Sequence, residues 1–95
     1  MHCYGSLALF TDLYELTMAQ AYHAEGMHEP AVFELGFRAL PASRNYIVAA
    51  GLGDVLRYLE ELRFTREDLS YLRSVGEFSE QFLQYLEAFR FTCEV

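Results

Sequence analysis

The residues with the clearest potential for chemistry open the first predicted helix. They are Thr11-Asp12-Leu13-Tyr14, in which Asp12 and Tyr14 can both point away from the apolar side that holds Leu16. A phenol ring in this place offers a flat surface for stacking on an aromatic ligand, and the electropositive helix N-terminus favours a nearby anion. The alternative is structural, with Asp12 capping the helix and Tyr14 filling a core. The residues alone favour this structural alternative.

A second group of polar residues shares one face of a predicted strand, where Glu34, Gly36 and Arg38 alternate with large apolar residues. The glycine leaves a gap through which a ligand or another backbone can approach. The planar guanidinium of Arg38 suits a phosphate or carboxylate, and Glu34 can hold it in position. The plainer alternative is an exposed ion pair between Glu34 and Arg38, which the residues alone favour.

Other signatures of catalysis or metal binding are missing from the sequence. It contains no glycine-rich phosphate loop, no paired Cys-x-x-Cys and no His-Glu-x-x-His helix. The potential ligands His2, Cys3, His23 and His28 match no standard metal-site spacing, so no metal site is predicted. No catalytic base or nucleophile is predicted either.

Composition limits the class of protein. The formal charge of −7 disfavours binding to nucleic acid or to an anionic membrane, and the basic residues, all Arg, are spread singly. The sequence shows neither a basic-then-apolar leader nor a long apolar span. Its two cysteines, Cys3 and Cys93, stand near opposite ends, and a disulfide between them is disfavoured. We therefore expect a cytoplasmic protein.

Periodicity predicts the elements that position the two polar groups. A helix is expected from Phe10 to Gly26, with Asp12 as N-cap and Glu15 at the capping-box spacing. This helix has one apolar side and a second, more aromatic side. The alternating run 31–38 and the apolar run 46–50 are expected to form a short antiparallel strand pair.

Three further helices are expected after the strand pair. The first starts near Asp54, and the second is capped by Thr65 with Asp68 and closed by Gly76. Ser79 can cap the third. The predicted fold class is therefore α+β, with an N-terminal helix, a strand pair and three helices packed on it. Since 95 residues bury only a small core, a free monomer is expected to be loose or to associate.

A resemblance to a known family favours the functional interpretation of both groups of polar residues. The combination of Thr-Asp-x-Tyr (11–14) with Phe-Glu-x-x-Phe-Arg (33–38) is similar to the opening of nicotinate phosphoribosyltransferases. The similarity continues in order from Leu9 to the end of the chain, and it includes the segments 9–22, 45–52 and 78–92. The related nicotinamide enzyme shares the Thr-Asp-x-Tyr element but looks less similar elsewhere.

The resemblance implies that residues 1–95 are the N-terminal domain of a longer enzyme with an α/β barrel, and that the catalytic barrel domain is absent from this chain. The implied reaction joins nicotinate to phosphoribosyl pyrophosphate, giving nicotinate mononucleotide for NAD biosynthesis or salvage. It uses Mg²⁺ and is coupled to ATP hydrolysis through a phosphorylated histidine. The implied assembly is a homodimer whose active sites lie where the N-terminal region of one subunit meets the barrel of the other.

By the same resemblance, Tyr14 stacks on the pyridine ring across the dimer interface, Asp12 supports the site, and Arg38 reaches a phosphate. No histidine of the chain matches the phosphohistidine position, so the chain alone is expected to be inactive. Two departures are Gly36, where a bulky residue is usual, and Tyr22-His23, where an aromatic pair is common.

The length of the chain is the largest departure from the family, whose enzymes are several times longer. It indicates a fragment, a truncated gene product or an isolated domain. The alternative function is a non-catalytic interaction module of the same fold that dimerises through its aromatic helix.

Overall fold

The fold is built from four α-helices, in a computed structural model that describes residues 7–95. The helices are α1 (Leu13–Ala24), α2 (Leu52–Glu61), α3 (Arg66–Val75) and α4 (Glu80–Ala88). No β-strand forms within residues 7–95. The described chain is therefore all-α, and the predicted α+β class is wrong.

The predicted strand pair is replaced by an exposed stretch without regular structure, residues 27–50, which we call the extended segment. Its apolar side chains face solvent: Val32 is 94%, Phe33 90% and Leu35 81% exposed. Alternation identifies which face of a strand is apolar. A strand also needs a neighbouring strand whose backbone forms hydrogen bonds with its own N–H and C=O groups. The runs 31–38 and 46–50 do not supply that neighbour to each other.

The core lies where α3 and α4 pack together and α1 covers them. Its buried members are mainly leucines from the three helices, together with one phenylalanine: Leu16, Leu69, Leu72, Phe82, Leu83 and Leu86. Leu9, Ala19, Phe64 and Phe78 pack around this cluster. Burying each large apolar side chain contributes about 1.5–3 kcal/mol, so these few residues supply most of the burial. We call α1, α3 and α4 the helical core.

Helix α2 contributes no fully buried residue to this core. The prediction that three helices would pack on a strand pair is wrong for this reason too. The helical core instead uses α1 as the cover for α3 and α4.

The ends of α3 and α4 follow the sequence signals closely. Thr65 and Asp68 form the predicted capping box, with the Thr65 N–H donating to the Asp68 carboxylate at 2.9 Å and the Asp68 N–H donating to the Thr65 hydroxyl at 3.1 Å. Gly76 ends α3 at φ +83°, a left-handed conformation that favours glycine. At α4 the Ser79 hydroxyl accepts from the Phe82 N–H at 3.1 Å. These predicted caps are confirmed.

The start of α1 differs from its prediction. Asp12 occupies the N-cap position, but its side chain makes no capping hydrogen bond. Glu15 instead accepts a hydrogen bond from the Thr11 hydroxyl. The predicted capping box at this end is therefore not formed.

The described chain is less compact than its length allows. The radius of gyration is 16.0 Å, whereas a compact domain of this length has a radius of gyration of about 12 Å. The difference is consistent with the exposure of the extended segment. Among the helices in the described part, none has the length and apolar character needed to cross a membrane.

Candidate functional site

Tyr14 lies in the first turn of α1 and faces away from the core. Its side chain is 59% exposed, and Met18 and Tyr22, which are 45% and 46% exposed, follow it along the helix. These residues recur every four positions, so they form one stripe along the helix. We call this stripe the outer face of α1. The structural alternative for Tyr14, that it fills a core, does not hold in residues 7–95.

Asp12 stands directly before the first turn of α1 and is exposed. Because its side chain does not cap the helix, the carboxylate is available for contacts on the outer side. It lies only two residues from Tyr14, so the backbone places both groups at the same end of the helix.

Arg38 lies on the extended segment, and both Arg38 and Glu34 are exposed. No ion pair between them is found in the described part of the chain. A side chain added at Gly36 would meet no atom within 4 Å, so the space beside Arg38 is open. The plain ion-pair alternative for Arg38 therefore does not hold here.

The predicted site residues are brought together only in part. Asp12 and Tyr14 share the N-terminal end of α1, while Arg38 belongs to the extended segment, and no hydrogen bond or ion pair within residues 7–95 joins Arg38 to either. A stacking ring and an exposed guanidinium are thus available, but this chain does not enclose a ligand between them.

A concave surface that sequence reasoning missed lies between α1 and α4, and Tyr58 of α2 also lines it. It is a cavity of about 380 Å³ with mostly apolar walls. Its lining includes His23 and Tyr85, whose ring centroids lie 4.2 Å apart with the ring planes inclined at 36°. Asp12, Tyr14 and Arg38 are not among the residues that line it. These two rings come from positions 62 apart in sequence, so no local pattern could have indicated the cavity.

Metal-ligating residues do not gather in the described region. Within residues 7–95 there is no group of three or more His, Cys, Asp or Glu side chains that could hold an ion. His23 and His28 are neighbours, with ring centroids 6.2 Å apart. His2 and Cys3 lie outside the described residues, and so does any disulfide from Cys3 to the exposed Cys93.

Four helices with an unburied aromatic stripe define an α-helical domain that keeps apolar surface available for further contacts. The family model of the nicotinate phosphoribosyltransferase (NAPRTase) N-terminal domain matches residues 9–95. The chain therefore belongs to the nicotinate phosphoribosyltransferase N-terminal domain family.

Individual relatives agree with this assignment. The chain is 60% identical over 88 residues to "Nicotinate phosphoribosyltransferase pncB2" of Mycobacterium tuberculosis (strain ATCC 25618 / H37Rv), covering 93% of the chain and 19% of that relative. It is 48% identical over 79 residues to the nicotinate phosphoribosyltransferase of Bacillus subtilis (strain 168), covering 82% of the chain and 16% of the relative. The resemblance predicted from the motifs is confirmed. The chain spans less than a fifth of the length of these relatives.

Proposed function

We propose that this chain acts as the N-terminal domain of an enzyme that forms nicotinate mononucleotide from nicotinate and phosphoribosyl pyrophosphate. The proposal is supported by the family and by one structural observation, the 59% exposure of Tyr14 on the outer face of α1. An aromatic ring that its own core does not use is free to stack on a planar base. The chain supplies base and anion contacts, and the remaining catalytic groups come from outside residues 7–95.

Tyr14 performs the positioning part of this function. The transition state for transfer to the ribose carbon has oxocarbenium-like character, so the base must be held in line with that carbon. Stacking on a phenol ring fixes the plane of the base at a low cost in conformational entropy. Asp12, at the same end of α1, supports the site.

Arg38 performs the anion-binding part. Its guanidinium is exposed on the extended segment and makes no ion pair with Glu34 in the described residues, so its donors are available to a phosphate of phosphoribosyl pyrophosphate. The open space beside Gly36 lets such a group approach the backbone closely.

Mg²⁺ and ATP belong to the reaction that the family resemblance implies. Within residues 7–95, no group of three or more His, Cys, Asp or Glu side chains comes together to hold a metal ion. No step is therefore assigned to either group through residues of this chain.

The proposed assembly is a homodimer in which the outer face of α1 meets a neighbouring subunit. That face carries Tyr14, Met18 and Tyr22, each about half exposed, and an apolar stripe of this kind favours a protein contact. The formal charge of −7 favours neither nucleic acid nor an anionic membrane as a further partner, and a cytoplasmic setting is part of the same proposal.

The test is a graft of residues 9–95 into the Mycobacterium tuberculosis relative in place of its matching segment. We expect the grafted protein to form nicotinate mononucleotide, and the 95-residue chain alone to form none. Tyr14→Ala in the graft should raise the KM for nicotinate about fivefold, since stacking contributes on the order of 1 kcal/mol. Tyr14→Phe keeps the ring and should retain most of the affinity.

A matched control is Tyr71→Ala, because Tyr71 on α3 is 60% exposed and differs from Tyr14 only in its location. Its KM for nicotinate should stay unchanged. Equal turnover and KM in Tyr14→Ala and the unmutated graft would end the stacking proposal. A graft that makes no product, together with a 95-residue chain that dimerises through the outer face of α1, would favour the alternative function as a non-catalytic interaction module.

A further inference from the structure

We propose that Gln20 is a positioning residue, which completes the cap of α4 from α1 and thereby sets the orientation of the outer face of α1. Its side-chain amide makes two hydrogen bonds to the turn between α3 and α4. The Gln20 amide nitrogen donates to the Glu77 carbonyl at 3.0 Å, and the Ser79 N–H donates to the Gln20 amide oxygen at 2.8 Å. The part that concerns the outer face rests on the proposed function.

The need for Gln20 follows from the sequence at the start of α4. A capping box requires a polar side chain three residues after the N-cap, which accepts the N-cap backbone N–H. Helix α3 has such a residue in Asp68. In α4 this position is Phe82, which is 1% exposed and belongs to the core. Ser79 therefore lacks a local acceptor for its N–H, and Gln20 supplies one from 59 residues away.

The two hydrogen bonds fix α1 in a way that its apolar contacts do not. Besides these hydrogen bonds, α1 meets the rest of the helical core through Leu16, the partly buried Ala19 and the ring of His23, whose centroid lies 4.2 Å from that of Tyr85. Apolar burial is non-directional, so it tolerates a small roll of the helix about its axis. The planar Gln20 amide is hydrogen-bonded to a carbonyl at one end and to an N–H at the other, so it tolerates a much smaller roll of the helix.

A roll of α1 would carry Tyr14 with it. Gln20 and Tyr14 are six residues apart, which places them about 120° from each other around the helix. A roll of about 10° at the radius of the side chains moves the Tyr14 ring by about 1 Å. Misplacements of that size at a reacting group can change rates by about 100-fold. Gln20 therefore affects the proposed base site without touching it.

The first arm of the test measures the hydrogen bond itself in the 95-residue chain. Amide hydrogen exchange at Ser79 should become about tenfold faster in Gln20→Met, which keeps the side-chain length and removes both polar ends. Gln20→Glu keeps an acceptor for the Ser79 N–H and loses the donor to Glu77, so Ser79 should remain largely protected. Gln84→Met is the matched control, since Gln84 is exposed on α4 and no hydrogen bond of its side chain is found in the described chain. Unchanged exchange at Ser79 in Gln20→Met would overturn the proposal.

The second arm measures the effect on the proposed base site in the graft. Gln20→Met should lower kcat/KM for nicotinate several-fold, and it should have no further effect when Tyr14→Ala is already present. Fully additive effects of the two substitutions would show that Gln20 acts only on stability and would refute its positioning role.

An inactive graft would count against the proposed function, but it would not decide the orientation of α1. In that case, nuclear Overhauser contacts of Leu16 in the 95-residue chain decide it. They should change in Gln20→Met and stay unchanged in Gln84→Met if Gln20 sets the roll of the helix. Identical contacts in the unmutated chain and Gln20→Met would refute the positioning role.

Discussion

Phe82 in the helical core and Phe33 in the extended segment are the same residue type with opposite environments, at 1% and 90% exposed. Both stand in runs whose periodicity predicts a buried face. The helix around Phe82 closes its own backbone hydrogen bonds, so α4 needs a neighbour only for its side chains. The segment around Phe33 needs a neighbour for backbone and side chains alike. A helix therefore forms its backbone hydrogen bonds within its own segment, whereas a strand forms them only when another strand lies beside it.

The largest expected difference between the two regions is the effect of removing these rings. Phe82→Ala should lower the free energy of unfolding by about 3–5 kcal/mol, because it leaves a cavity at the centre of the core. Since small domains have a total stability on the order of 5–15 kcal/mol, this loss is a large fraction of the total, and the urea midpoint should fall markedly. Phe33→Ala, the matched control, should change the free energy by less than about 0.5 kcal/mol. Urea unfolding followed by circular dichroism measures both, and equal losses would contradict the division into two regions.

A smaller difference is expected at glycines. Gly76 has φ +83° and Gly36 has no positive φ, while a Cβ at either position would meet no atom within 4 Å. Gly76→Ala should therefore cost about 1 kcal/mol from backbone conformation alone, and Gly36→Ala should cost nothing measurable. The shift in urea midpoint between the variants tests this. A midpoint for Gly76→Ala that matches the unmutated chain would show that the end of α3 does not need the left-handed conformation.

The smallest difference concerns exposed ion pairs and pH. The Arg73 guanidinium donates to both Glu80 carboxylate oxygens, at 2.6 and 3.0 Å, and these hydrogen bonds lower the pKa of Glu80. A carboxyl with a depressed pKa stabilises the fold above its ordinary pKa, and this contribution is lost as the pH falls through its folded-state value. Arg73→Gln should therefore lower Tm slightly at neutral pH and not at acid pH, and less at high salt.

Arg38→Gln is the control for that measurement, since Arg38 has no such pair with Glu34 in the described residues. Its Tm should match that of the unmutated chain at every pH. A similar pH-dependent loss in both variants would show that net charge, and not the Arg73–Glu80 contact, is responsible.

The predictable parts of this fold are those determined by residues a few positions apart. The Thr65–Asp68 capping box and the left-handed Gly76 were predicted and are confirmed, because both depend on contacts within one helical turn. The strand pair was predicted and is wrong, because alternation cannot identify a partner. The contact between Gln20 and Ser79 was not predicted, since nothing local to either residue indicates the other.

In the candidate site, too, the features determined by nearby residues could be predicted, whereas those that depend on distant groups could not. The exposure of Tyr14 agrees with the predicted aromatic side of the first helix, which was read from helical spacing. The roles of Tyr14, Asp12 and Arg38 in binding stay predictions, because they require groups beyond those that the described chain brings together.

The 59-residue separation between Gln20 and Ser79 also has a consequence for the order of folding events. The helices α3 and α4 meet across a short turn and can pair quickly, whereas docking α1 must first close a long loop at an entropic cost. We expect φ-values near one-half or above for Leu83→Ala and near zero for Leu16→Ala in stopped-flow refolding. The surface that presents Tyr14 would then be the last part of the helical core to become fixed, and the first to be released during unfolding.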